Sequence, residues 1–192
     1  ESAIGPHTKV LVLSYPCNPT GAVLSEDELL AIATVARRRD LIVVSDEVYD
    51  RLVYAHPHTS VPSLPGMRDR TVLLGGFSKN YAMTGWRVAY AAAPPEILGA
   101  MVKIHQYTML CAPGPSQIAA IEALDGPQSS IAERNVTFRE RRDLVVGMLN
   151  QADGITCHRP DGAFYVYPSC AGLIGRKTPD GKAIESSEDF AA

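Results

Sequence analysis

The sequence predicts an α/β fold, a mostly parallel sheet flanked by helices, followed by the start of a smaller α+β unit. Three observations carry this. Two apolar runs of strand length, Lys9–Ser14 and Leu41–Ser45, bracket a stretch of helical periodicity, the pattern of parallel strands joined by a crossover helix. A polar loop bearing glycine, proline or acidic residues follows the carboxyl end of each run. From Gly154 onward the chain changes to short segments separated by turns. The first unit is expected over residues 1–126, and a long linking helix with an incomplete second unit over residues 127–192.

Taking the elements in order, Lys9–Ser14 is a strand expected to be buried on both faces, and the loop Tyr15–Gly21 follows it. Ser25 with Glu28 forms a capping box, so a helix runs from there to about Arg39 on the apolar face Leu29, Leu30, Ile32, Ala33 and Ala36. Leu41–Ser45 is the next strand, parallel to the first with a right-handed crossover. Arg51–Arg70 reads as polar, proline-rich loop, long enough to suggest a functional surface. Thr71–Leu74 is a third strand and Arg87–Ala93 a fourth; the connection between them is short for a helical crossover, which points to an antiparallel fourth strand. Helices are expected over Pro95–Tyr107, Ser116–Leu124 and Ser129–Asn150. Ile155–His158 and Ala163–Tyr167 read as a hairpin about Pro160-Asp161-Gly162, and Ser187 opens a last helical turn.

Composition narrows the function classes. The 192 residues are 46% hydrophobic and 20% charged, with formal net charge −3, an ordinary globular balance. That slight acidity favours neither nucleic acid nor an anionic membrane. No apolar run is long enough to cross a bilayer and no secretory pattern opens the chain, so a cytoplasmic protein is expected. Cys17, Cys111, Cys157 and Cys170 show no C-x-x-C spacing and read as reduced thiols. His56 and His58 flank a proline and read as a surface turn; no metal site is expected.

The chemistry concentrates at the strand ends, where open parallel sheets bind ligands. Asn18 follows the first strand, Asp46 and Tyr49 the second, and Ser78-Lys79 the third, with Arg87 eight residues beyond the lysine. A desolvated lysine has a lowered pKa and can attack a carbonyl to form a Schiff base. An arginine nearby can grip a phosphate through its planar fork. Together they suggest a phosphorylated carbonyl cofactor, with pyridoxal 5'-phosphate the obvious candidate. An aspartate can hold the pyridine nitrogen protonated, and an asparagine amide and a tyrosine hydroxyl can both donate to the ring oxygen. Each residue also has a structural reading. Lys79 reads as a solvated loop charge, Asn18 as a turn former before Pro19, Asp46 as a helix cap, and Tyr49 as a core aromatic.

The motifs Asn18-Pro19-Thr20-Gly21, Asp46-Glu47-Val48-Tyr49, and Ser78-Lys79 through Gly85-Trp86-Arg87, in this order, resemble the fold-type I pyridoxal-phosphate enzymes. The resemblance is to the class I/II aminotransferases of the aspartate and aromatic kind, and it extends over essentially the whole chain. It implies part of a three-layer large domain and the start of a small domain, the latter near Gly162-Ala163-Phe164-Tyr165. By it, Lys79 is the Schiff-base lysine and proton shuttle, with Asp46 and Tyr49 as its catalytic companions. Asn18, Asp46, Tyr49, Ser78, Lys79 and Arg87 are the cofactor-binding residues. The implied partners are an amino acid, a 2-oxo acid and a second copy of the chain in a homodimer.

Two departures stand out. Gly76 occupies the place where the family usually carries a phosphate-binding serine, so more of that work should fall on Arg87. Family members are about twice this long, so the resemblance implies an internal fragment, expected to be inactive alone. It is expected to lack a glycine-rich phosphate turn and ring-stacking aromatic before it, and a carboxylate-gripping arginine after it. The alternatives are a pyridoxal-phosphate β-lyase or cyclopropane-carboxylate synthase-like enzyme, and a ligand-sensing aminotransferase-like domain of a regulator. A nicotinamide enzyme is disfavoured because no G-x-G-x-x-G follows the first strand.

Overall fold

Four strands form one sheet in the order β1-β2-β3-β4 in the computed structural model, which describes residues 1–192. β1 (Val10–Ser14), β2 (Ile42–Asp46) and β3 (Thr71–Gly76) run parallel, and β4 (Ala89–Ala92) runs antiparallel to β3. Ser14 pairs with Asp46 and Asp46 with Leu74, so the carboxyl ends of β1 and β2 lie level and β3 runs two residues past them. That alignment brings the three loops of interest to one edge of the sheet.

α1 (Glu26–Arg38) is the crossover between β1 and β2. Its capping box is complete: the Glu28 amide donates to Ser25 Oγ at 3.3 Å, and the Ser25 amide donates to the Glu28 carboxylate at 2.8 Å. Its buried face, Leu29, Ala33 and Ala36, packs with Tyr15, Leu41 and Val43. Val61, Leu64 and Met67 complete this core. They come from the segment expected to be plain polar loop. It folds into two 3-10 turns, Val61–Ser63 and Arg68–Arg70, with Val61 opening the first and Leu64 and Met67 in the link between them.

β1 differs from expectation. It is an edge strand, with Leu11 and Leu13 against the core while Val10 and Val12 are 47% and 68% exposed. A continuous apolar run therefore does not imply burial on both faces here. β2 alternates strictly as well: Leu41, Val43, Ser45, Glu47 and Tyr49 are buried and the residues between them half-buried.

β3 reaches β4 through α2 (Phe77–Asn80) and a 3-10 turn at Thr84–Trp86. Ala82 and Arg87 take left-handed backbone angles, φ 55° and 51°, and help reverse the chain. Gly75 faces Tyr90 across the β3–β4 pair, and a Cβ there would lie 2.2 Å from the tyrosine ring, so only glycine lets that ring cross.

α3 (Pro95–Thr108), α4 (Gly114–Asp125), α5 (Ser129–Leu149) and α6 (Ser187–Ala191) follow. No helix is long and apolar enough to cross a membrane. Residues 155–167 do not form the expected hairpin; Thr156 and Ser169 make a single antiparallel bridge. The turn at Pro160–Gly162 is held by the sheet-side unit instead. The amides of Asp161 and Gly162 donate to the Gly21 carbonyl at 3.1 and 2.9 Å, and the Ala163 amide donates to Leu52 at 2.8 Å. With those backbone groups satisfied, no second strand is needed. Glycine permits the approach, since a Cβ on Gly21 would meet Pro160 at 2.4 Å.

Candidate active site

Ser78, Lys79 and Arg87 share one cleft of about 350 Å³ with Val48, Gly76, Thr84 and Ala89. Lys79 arrives there on α2, directly after β3; Arg87 arrives as the chain turns back into β4. The half-buried Lys79 and the exposed Arg87 both lack an acidic partner among the ion pairs of the structure. Arg87 donates to the Thr84 carbonyl at 2.8 Å, which fixes one arm of its fork. Its left-handed backbone is a sparsely populated state for a non-glycine residue, of the kind that gathers at functional sites. Two uncompensated cations and a serine on one small cleft suit a phosphate dianion.

Tyr49 lies on the other side of the lysine. The Lys79 Nζ is 6.0 Å from the Tyr49 ring centroid and 5.4 Å from that of Phe164. Tyr49 is buried, and its hydroxyl shares a hydrogen bond with that of Tyr165. Burial, then the Tyr165 contact, then the negative charge of Asp46 push its phenol well above the ordinary tyrosine range, so it remains a proton donor. Asp46 ends β2 and accepts from the Val48 amide at 3.3 Å. That is a capping-type contact, and it leaves the second carboxylate oxygen open. Asp46 is half-buried, and Val48, whose amide it accepts from, lines the cleft.

The structure thus brings Ser78, Lys79 and Arg87 together, sets Tyr49 against Lys79, and carries Asp46 on the adjoining strand end. Asn18 is exposed on the β1 loop, makes no side-chain hydrogen bond and, like Tyr49, is not among the residues lining this cleft.

Several residues that shape the site escaped sequence reasoning. Glu47 is 3% exposed, and its carboxylate accepts from Ser45 Oγ at 2.8 Å, the Val61 amide at 3.0 Å, Tyr15 at 3.4 Å and His58 Nε2 at 2.7 Å. Burial raises its pKa, but the hydrogen bonds from His58 and the residues around it outweigh burial and hold the carboxyl below its usual range. His58 is accordingly a docked side chain, not the surface turn expected from its proline neighbour. The signal for Glu47 was present: strand alternation puts it on the face of Leu41 and Val43. Asn80 is buried beside the lysine and donates to Asp50 at 2.6 Å, while Arg134 of α5 donates to its carbonyl. Phe164 and Tyr165 close the far wall, carried there by the turn that Gly21 and Leu52 hold.

The family described as aminotransferase class I and II matches residues 1–190. The aspartate/prephenate aminotransferase of Cereibacter sphaeroides is 44% identical over 195 aligned positions, covering 100% of this chain and 49% of that protein. The crystal structure of the aspartate aminotransferase from Rhizobium meliloti superposes with TM-score 0.93 at 39% identity, over 98% of this chain and 48% of that one. An aromatic aminotransferase from Pyrococcus horikoshii superposes with TM-score 0.84 at 41% identity, over 87% of this chain and 45% of that one. The chain spans about half the length of the curated relatives it matches.

Proposed function

This chain belongs to the aminotransferase class I and II family, and from that membership we propose that it forms the cofactor-holding centre of an enzyme moving an amino group between an L-amino acid and a 2-oxo acid. Pyridoxal 5'-phosphate is the cofactor of this family, and the site residues suit it: a lysine for its carbonyl, an unpaired arginine and a serine for its phosphate, and a buried tyrosine beside the lysine. The observation that carries the reading is the shared cleft of Lys79, Ser78 and Arg87 with Tyr49 against the lysine.

In this reading Arg87 and Ser78 hold the phosphate and so fix the position of the bound ring. The carboxylate of Asp46 holds a proton on the pyridine nitrogen. Tyr49, kept protonated by its burial, donates to the ring oxygen, and Asn18 donates there from the neighbouring loop. When bound, the cofactor supplies a carbonyl and an electron-withdrawing ring. Lys79 is the base that takes the proton from the α-carbon of the amino acid and delivers it again, in the half-buried position its helix provides. The aromatic rings of Tyr49 and Phe164, with the Nζ over them, limit where it can swing. For the substrate we propose those for which the relatives are named, aspartate or prephenate, with an aromatic amino acid as the second choice. We place the protein in the cytoplasm as a homodimer, and divide the chain at residue 126, between the large-domain part and the linking helix with its small-domain start.

The test is chemical. Pyridoxal 5'-phosphate is added to the complete protein that carries this chain, the product is reduced with borohydride, and the modified peptide is located by mass spectrometry. A single modification on Lys79 is expected. Labelling spread over Lys9, Lys103, Lys177 and Lys182 would overturn the assignment.

A further inference from the structure

We propose that Tyr165 is a positioning residue for the cofactor: its hydroxyl donates to the Tyr49 oxygen, leaving the single proton of Tyr49 for the cofactor's ring oxygen. The inference rests on the function proposed above and deepens it.

The two hydroxyls are hydrogen-bonded to each other, and neither has another hydrogen-bond partner in the protein. Their rings meet edge to face, with centroids 5.7 Å apart and planes at 77°. Phe164 packs against both, at 5.5 Å from Tyr49 and 4.8 Å from Tyr165. The backbone of the segment is fixed as well. The Ala163 amide is bonded to Leu52, and Ala163 itself takes a left-handed φ of 57°. Tyr165 therefore holds its place without help from a ligand.

A phenol has one proton to donate and two lone pairs to accept with. In the pair alone either hydroxyl can be the donor. An acceptor on the far side of Tyr49 removes that freedom: Tyr49 must give its proton outward, and Tyr165 must then give its own to Tyr49. Lys79 approaches from α2 and Asp46 from the end of β2. Behind Tyr165, Arg141 and Arg142 of α5 line a small, mainly apolar cavity of about 210 Å³ together with it. Both phenols stand among the partly buried aromatics of this wall, where hydrogen bonds in series strengthen one another. A donor reinforced in this way withdraws more negative charge from the ring oxygen. A less negative oxygen stabilises a nearby cationic nitrogen less, so that nitrogen loses its proton at lower pH.

The experiment uses the complete protein loaded with pyridoxal 5'-phosphate. The pH midpoint of the bound cofactor's visible absorbance is compared among wild type, Tyr165→Phe, Tyr49→Phe and the double variant, and the cofactor dissociation constant is measured for each. Tyr165→Phe keeps the ring and removes the hydroxyl. Its midpoint should rise by about half a pH unit, and cofactor affinity should fall about threefold, the effect of one modest hydrogen bond. Tyr49→Phe should move the midpoint further in the same direction, and the double variant should match Tyr49→Phe alone. An unchanged midpoint in Tyr165→Phe, with or without lower thermal stability, overturns the proposal, because Tyr165 then only packs. Additive shifts in the double variant overturn it as well. A wild type that shows no such absorbance removes the proposed function, and this inference with it.

Discussion

Replacing Glu47 with glutamine should destabilise the protein in a pH-dependent way, although the two side chains have nearly the same shape. One carboxylate oxygen accepts from Ser45, the Val61 amide and Tyr15, and the other accepts from His58 Nε2 at 2.7 Å. In Glu47→Gln the amide oxygen can keep the first three donors. The amide nitrogen then points a donor at His58 Nε2, which already carries the hydrogen facing Glu47. Relief requires the imidazole proton to move to Nδ1, but Nδ1 is buried without a partner. The variant either sets donor against donor or buries an unpaired N–H. A hydrogen bond to a charged group contributes about 1.5–3 kcal/mol and an unsatisfied buried polar group costs about 1–3 kcal/mol, so a loss of about 2–4 kcal/mol at neutral pH is expected. The folded carboxyl titrates below its unfolded value. Its contribution is therefore complete above the ordinary glutamate pKa and disappears as the pH falls through the lowered, folded one. Denaturant unfolding of wild type and Glu47→Gln at a series of pH values reads this directly. The gap should be widest near neutrality and should narrow below the usual carboxylate range. Equal stability at neutral pH, or a gap that ignores pH, would refute the reasoning.

Three further outcomes are expected. Gly75→Ala should lower unfolding stability by about 1–3 kcal/mol, because the new methyl meets the Tyr90 ring; Gly75→Ala with Tyr90→Ala should recover part of that loss, and no recovery would mean the ring is not the obstacle. Gly76→Ser should tighten pyridoxal 5'-phosphate binding about 3- to 10-fold, since a Cβ there finds only ordinary contacts at 3.6 and 3.9 Å and the hydroxyl adds a donor to the cleft; a spectroscopic titration showing weaker binding would count against the cleft as the phosphate site. Arg87→Ala should weaken pyridoxal 5'-phosphate binding about 10- to 100-fold and leave pyridoxal, which lacks the phosphate, nearly unaffected; equal losses for both ligands would show that Arg87 acts on the fold rather than on the phosphate.

The order of elements and the loops that carry chemistry were legible in the sequence because they rest on local physics. Ser25 and Glu28 form their capping box within one turn of chain, and the short link between β3 and β4 leaves little choice but an antiparallel return. Ser78, Lys79 and Arg87 could be named together because they lie within ten residues and the turn between them is compact. The exposure of β1 could not be read from its residues, since an apolar run says nothing about whether a neighbour covers it. Val61, Leu64 and Met67 were hidden in a segment whose polar composition outweighed three apolar side chains.

What the sequence determined by itself was therefore the α/β order, the strand-end positions of Asp46 and Lys79, and the kind of cofactor those residues suit. Only tertiary structure decided that Glu47 would receive His58 from eleven residues away, that the Pro160–Gly162 turn would bond to Gly21 instead of closing a hairpin, and that Tyr165 would reach Tyr49 across 116 residues. The physical reason is range. Capping, alternation and turn chemistry act between neighbours along the chain, whereas a buried charge or hydroxyl is satisfied by whichever distant donor the packed backbone brings within about 3 Å.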